Sequence, residues 1–200
     1  TYVFITSNAT TTINTDNKDI SCKFLSVDSG SKLSLGTNNT LTITNELRFN
    51  SADDAHLEWT PSGAGTSGTT FTISCWVKLA ALDENYIFSA AASGATTEIF
   101  YIQTRSSTHG YPLSIVWRDG NTTTRSLVTN RKFKDSSAWF HLVVAVNAGA
   151  SANADKIKVY INGELETSFS TDNRSTLSSS SSLAATANVL HYIGGYSGTG

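Results

Sequence analysis

The run Phe71-Thr-Ile-Ser-Cys-Trp-Val-Lys-Leu79 alternates without a break. Phe71, Ile73, Cys75, Val77 and Leu79 fall on one side, and Thr72, Ser74, Trp76 and Lys78 on the other. A period of two sets one row against a core and the other toward water, the pattern of a half-buried antiparallel strand. Shorter runs of the same kind span Glu98 to Gln103, Leu113 to Arg118, Trp139 to Val146, Lys156 to Tyr160 and Val189 to Ile193, separated by Gly, Ser, Asn and Asp clusters. No segment reads as a long amphipathic helix. The chain is therefore expected to be all-β.

Two hundred residues suffice for one sizeable core, and an all-β chain of this size is expected to form one sandwich with a short annex. Charged residues make up only 15% and the net charge is −2. That leaves no basic field to draw in nucleic acid or an anionic bilayer. No apolar run approaches the roughly 20 residues of a membrane-spanning helix, and the N-terminus lacks the basic-then-apolar layout of a signal peptide. Membrane insertion is not expected. A chain that starts at Thr1 and contains no Met reads as a processed product or a piece of something longer.

Residues 1–45 differ in character. From Phe24 to Thr44 short apolar-polar strands recur between Gly or Asn turns, about every ten residues. This suits rungs of a small β-solenoid or a meander, and equally two or three edge strands of the sandwich. A few rungs cannot hide their own ends, so such a segment is expected to stack on the sandwich or on a neighbouring copy. Residues 1–45 are accordingly assigned as a β-strand repeat or assembly segment and 46–200 as the sandwich. The serine run Ser178 to Ser182 reads as a flexible surface loop.

Asn162-Gly163 signals a hairpin. A two-residue loop would set Ile161 opposite Glu164 and Val159 opposite Glu166, mixing apolar and charged side chains. A three-residue loop, Ile161 to Gly163, pairs Val159 with Leu165 and Lys158 with Glu166 and separates the faces better. It also places Gly163 where a positive φ is wanted, so the three-residue form with a bulge is expected.

Several pieces then occur in one order: Leu47-Arg-Phe-Asn50, Thr60-Pro-Ser-Gly-Ala-Gly65, Phe71 to Lys78, Ala138-Trp-Phe-His-Leu-Val-Val-Ala-Val146, Lys156-Ile-Lys-Val-Tyr-Ile-Asn-Gly163 and His191-Tyr-Ile-Gly194. Together, over about Glu46 to Gly200, they resemble the laminin-G-like, concanavalin-A-like domains of bacteriophage tail-fibre and other virion proteins. The resemblance implies a jelly-roll sandwich of two antiparallel sheets, and it identifies no ligand. Such domains usually continue past the Ile-Gly strand into another strand, whereas this sequence stops at Tyr196-Ser-Gly-Thr-Gly200. The final strand is then expected from residues 1–45, or from another subunit by strand addition.

Folds of this kind include glycoside hydrolases, which need carboxylates facing a cleft, a pair about 5 Å apart for retention. The nearest candidate, Glu164-Leu-Glu166, sits beside a tight turn and reads as a solvated charged face. His56, His109, His141 and His191 show no metal spacing and no neighbouring nucleophile. Cys22 and Cys75 lack any zinc or redox spacing. They read as two small buried side chains, free to pair only if their strands are neighbours.

The resemblance also makes calcium the ion to expect, since related domains hold one with loop carboxylates and carbonyls. Asp53-Asp54 are the candidate ligands, with an ordinary polar turn as the other reading. Sugar binding needs an exposed aromatic ring beside amide, carboxylate or guanidinium groups. Tyr111 with Trp117-Arg118-Asp119-Gly120-Asn121 offers that chemistry near a turn; in the other reading Trp117 is core and Arg118-Asp119 an ordinary turn pair. The sequons at Asn8, Asn38, Asn121 and Asn173 matter only in a eukaryotic secretory host.

The expectation is thus a non-enzymatic, extracellular or virion-borne fibre domain. It would partner copies of itself or other virion fibre proteins and display its sandwich to host-surface glycans, many copies acting together. A purely architectural capsid-decoration or fibre-assembly role is the alternative. A further one is an adhesin or filament subunit in which residues 1–15 donate a strand to a neighbour.

Overall fold

The computed structural model describes residues 2–5, 10–13, 20–27, 32–35, 41–49, 55–62, 68–91, 97–120 and 122–196, and up to residue 47 it describes the strands alone. Within these the chain is a two-layer β-sandwich. The strands are β1 (Tyr2–Ile5), β2 (Thr10–Ile13), β3 (Ile20–Val27), β4 (Lys32–Leu35), β5 (Leu41–Phe49), β6 (His56–Trp59), β7 (Thr70–Lys78) and β8 (Asn85–Ala91). They continue as β9 (Glu98–Thr104), β10 (Pro112–Asp119), β11 (Arg125–Lys132), β12 (Trp139–Asn147), β13 (Ile157–Ile161), β14 (Glu164–Leu165), β15 (Phe169–Asp172) and β16 (Leu190–Ile193). Among the described residues one α-helical turn occurs, α1 (Asn153–Lys156).

The larger layer is a nine-stranded sheet in the order β15-β11-β10-β9-β8-β16-β6-β4-β2, and the smaller is β14-β13-β12-β7. Strands of the sandwich pair antiparallel. The N-terminal strands instead pair in parallel, β1 with β3 with β5 and β2 with β4 with β6. Tyr2 faces Phe24 and Phe24 faces Glu46, a step of 22 residues each time. Strand β6 belongs to both systems, since its other neighbour is β16. Residues before 46 thereby extend the larger sheet. Strands β1 and β2 each pair within their own chain and stand at the ends of their sheets.

The alternating rows set the core. Phe100, Ile102, Ile115, Trp117 and Leu127 of the larger sheet meet Leu142, Val144, Ile157 and Val159 of the smaller, all fully buried. On β7 exposure alternates residue by residue as the sequence requires. Where β16 ends, Gly194 takes φ +78, and a Cβ there would stand 2.5 Å from the Phe49 ring; only glycine meets both demands.

Two sequence expectations are corrected. The hairpin at Asn162-Gly163 has a two-residue loop, with Tyr160 opposite Leu165 and Ile161 opposite Glu164. Asn162 and Gly163 both take positive φ, +53 and +84, as a type I′ turn demands. The charge mixing that argued against this register is confined to buried Ile161 opposite exposed Glu164 beside the turn, because β14 is only two residues long. Beyond it Glu166, whose backbone N–H donates to the Val159 carbonyl, is itself buried and pairs with the exposed Arg131 at 2.7 Å. Lys158 pairs with Asp155 instead, at 3.0 Å.

The serine run is the second. Ser181 is buried, its hydroxyl donates to Asp119 Oδ2 at 3.1 Å and receives the Ser178 N–H at 3.0 Å. The flanking Leu177 and Leu183 are core residues. The run is thus tied to the body of the sandwich at Ser181 and by its two flanking leucines, while Ser179, Ser180 and Ser182 stay exposed. Cys75 is a free thiol, and its strand β7 lies in a different sheet from β3, which carries Cys22. Burial pushes the Cys75 thiol pKa up, away from reactivity.

Candidate functional site

The outward row of the smaller sheet carries what the inward row cannot, large aromatic rings open to solvent. Trp76 on β7 is 65% exposed and Trp139 on β12 is 44% exposed. The register sets Trp76 opposite His141 and Lys78 opposite Trp139. Both tryptophans therefore stand on one face, one diagonal step apart, a spacing of roughly 7–8 Å between Cα positions. The His141 ring lies 5.2 Å from that of Trp76, and its Nε2 is 3.0 Å from Ser74 Oγ.

The I′ turn closes the upper end of this row. Asn162 Oδ1 accepts the His141 backbone N–H at 2.8 Å, and the Asn162 backbone N–H donates to the His141 carbonyl at 2.9 Å. With its carbonyl oxygen so engaged, the Asn162 amide NH₂ is turned to the remaining space. Trp76, Trp139, His141, Asn162 and Gly163 line a shallow groove of about 500 Å³. Below it the face continues through Val143, opposite both Ser74 and Tyr160, to the exposed Leu165.

Paired strands hold Trp76, Trp139 and His141 and the hydrogen-bonded I′ turn holds Asn162, so the face is preorganised. Two rings supply apolar area, while an imidazole, a hydroxyl, an amide and the Lys78 ammonium supply hydrogen bonds around them. That combination suits a ligand with apolar C–H faces and polar edges.

The residues singled out from sequence are placed otherwise. Trp117 is completely buried in the core, because it shares the inward row of β10 with Leu113 and Ile115; its ring offers no sugar platform. Arg118 donates from Nε to Thr124 Oγ1 at 2.9 Å. Asp119 accepts from Arg125 at 2.6 Å and from Ser181. Tyr111 sits at the far end of the same strand, with φ +62 and the Lys134 ammonium 5.6 Å above its ring. These residues form no common site. Asn121, Asp53 and Asp54 lie outside the described residues.

Calcium finds no ready carboxylate cluster here. Among the described residues no group of three His, Cys, Asp or Glu is placed to hold a metal. Three carboxylates are committed to guanidinium groups, Asp119 to Arg125, Glu166 to Arg131 and Asp172 to Arg174. The described carboxylates thus assemble no three-residue metal group, and the candidate ligands Asp53 and Asp54 lie outside the described residues.

The opposite face of the sandwich carries a second aromatic group that is closed on itself. Tyr196 stacks on Tyr86 at 4.9 Å and meets Tyr101 edge-on at 5.3 Å. Burial, with the Tyr86 and Tyr196 phenols alongside, pushes the Tyr101 pKa up to about 12. These rings pack on one another and lack the open groove of the Trp76 face.

Comparison with known proteins fits this architecture. Residues 49–198 match the family model described as the concanavalin A-like lectin/glucanases superfamily. No curated protein matches. Among solved structures the chain is similar to a native heptameric SAP-like pentraxin from Limulus polyphemus, with 16% identity and a TM-score of 0.43 over 66% of this chain and 54% of that one. The chain thus spans about half the pentraxin's length. It is also similar to the CBM40 of a Ruminococcus gnavus IT-sialidase bound to α2,3 sialyllactose, with 11% identity and a TM-score of 0.35 over 66% of this chain and 84% of that one. On the family match, which covers residues 49–198 of 200, the chain belongs to the concanavalin A-like lectin/glucanases superfamily.

Proposed function

We propose that the chain is a non-catalytic glycan-binding sandwich whose site is the Trp76–Trp139 face. One observation carries this reading: two tryptophans, each well exposed, stand on adjacent strands of one rigid face with His141 and Asn162 between and above them. Exposed tryptophan is costly in water, and a paired, polar-rimmed set marks a surface that is covered in use. A pyranose ring has the matching chemistry, with C–H groups for the indoles and hydroxyls for the rim.

Binding without hydrolysis is supported by the fate of the nearest carboxylates. Glu166 is turned away into its pair with Arg131 and Glu164 is exposed beside the hairpin turn, so the two do not form the facing pair that glycosidases use. The setting we infer is a virion fibre or other extracellular assembly, on the strength of the sequence resemblance. There, many weak sites acting together give useful avidity. Among the described residues no helix is long and apolar enough to cross a membrane.

A second reading, a purely architectural domain, is favoured by the N-terminal parallel strands, which run unbroken into the larger sheet through β6. A glycan array on the native chain separates the two. Binding that is lost in Trp76→Ala supports the glycan site, and silence across neutral and acidic glycans favours architecture.

A further inference from the structure

Acidic side chains are missing from the outward face of the smaller sheet. The register of β7, β12 and β13 leaves only apolar, hydroxyl, amide, imidazole and ammonium groups in its outward rows, and Glu164 belongs to the other row, opposite Ile161. The chain as a whole has 16 acidic residues against 14 lysines and arginines, so this face is set apart from its net charge. An anion approaching it meets no like charge in those rows.

Two ammonium groups stand on the face. Lys158 is committed to Asp155 at 3.0 Å. Lys78 is exposed, and among the described residues no carboxylate stands at ion-pair distance from it and no ring lies beneath it. Asp135 has its pKa lowered first by the Ser137 hydroxyl and least by Lys78, and it is held by the Ser137 hydroxyl and N–H at 2.6 and 2.8 Å. The position of Lys78 is then decisive: it faces Trp139 across the pair and lies two residues from Trp76, while His141 faces Trp76. Indole and nitrogen donor therefore alternate both along and across the strands.

We propose that the ligand of this face is an acidic glycan, and that Lys78 holds its carboxylate or sulfate while the sugar ring lies on Trp76 or Trp139. The inference rests on the glycan reading of the Trp76–Trp139 face and adds to it the charge of the ligand. An anion beside the Lys78 ammonium gains a charge-assisted hydrogen bond that an uncharged sugar does not. The two indoles keep water from the flanks of that contact, which strengthens it, since a charge pair is weakened by every increase in local dielectric. Lys78 is thus a specificity residue of the face, and the indoles supply the affinity that charged and uncharged sugars share.

The probes are two matched pairs, a uronic-acid oligosaccharide with its carboxyl-reduced form and a sulfated oligosaccharide with its desulfated form, titrated by tryptophan fluorescence. The native chain should bind the charged member of at least one pair about fivefold more tightly, the worth of a charged contact at a surface, and high salt should narrow the gap. A gap on one pair alone identifies the anion as carboxylate or sulfate. Lys78→Gln should bring the ratio close to one, whereas Lys78→Arg and Lys158→Gln should keep it. Equal affinity for both members of each pair would overturn the inference and leave the glycan site standing. A ratio that survives Lys78→Gln, or that falls as far in Lys158→Gln, would overturn the role of Lys78. No binding to any probe would mean that the glycan reading itself fails, and the inference with it.

Discussion

His141 stands directly opposite Trp76 across the β7–β12 pair, with ring centroids 5.2 Å apart, and its imidazole Nε2 is 3.0 Å from the hydroxyl of Ser74, two residues from Trp76 on the same strand. The imidazole orients one indole and leaves most of that indole's surface to solvent. If this face binds sugar, Trp76→Ala should weaken affinity about tenfold, the equivalent of one ring-stacking contact. Thermal stability should move little, since exposed substitutions shift it by about 0.5 kcal/mol or less. Isothermal titration paired with a melting curve checks both halves.

Trp117 should behave in the opposite way. It is fully enclosed between the sheets, so Trp117→Ala should cost about 3–5 kcal/mol. Urea denaturation followed by circular dichroism measures the loss, and whatever fraction stays folded should retain the affinity of the parent chain.

Asn162 combines two roles in one residue, a positive φ of +53 and the acceptor for the His141 N–H. Asn162→Gly keeps the turn and loses only the hydrogen bond, at about 1 kcal/mol. Asn162→Ala adds the left-handed strain of a Cβ, about 1–2 kcal/mol more. The ordering wild type, Gly, Ala in urea midpoints is the expected result.

Buried His191 stacks on Trp59 at 5.0 Å. Burial lowers its pKa below the ordinary 6.5, although the hydrogen bond to the Val189 carbonyl works the other way. Below pH 6.5 the unfolded chain takes up a proton that the folded one resists, so this contribution is full above pH 6.5 and declines as the pH falls toward the lowered folded value. Stability measured between pH 8 and 5 should fall on acidification, and His191→Phe should flatten that slope.

Much of the fold can be read in the chain's alternation. The Phe71–Leu79 run and the runs that became β9, β10, β12, β13 and β16 each show a period of two, and burial follows it on β7, β12 and β13. The site was harder to read for a physical reason: a tryptophan near a turn attracts attention, but only its row decides its exposure. Trp117 shares a row with Leu113 and Ile115, which places it inside. Trp76 shares a row with Thr72, Ser74 and Lys78, and that company was the available sign of an outward ring. Trp139 gave no such sign, because Phe140 beside it left the face ambiguous until the pairing with Lys78 fixed it.

The turn, and not the match of facing side chains, sets the hairpin register, because the second strand is only two residues long. Asn-Gly specified the tight turn, and the chain leaves the sheet at Glu166, where Arg131 is waiting. Burial raises the Glu166 pKa, yet the hydrogen bonds from Arg131 and from the Ser168 and Thr167 backbone outweigh it and leave the net value lowered.

The most direct test is a fluorescence titration of the native chain against a panel of neutral and acidic oligosaccharides, repeated with Trp76→Ala and Trp139→Ala. Binding that perturbs tryptophan emission and is weakened in both variants is the expected result. An absence of binding across the panel, or binding that both variants retain at full strength, would contradict a glycan site on this face.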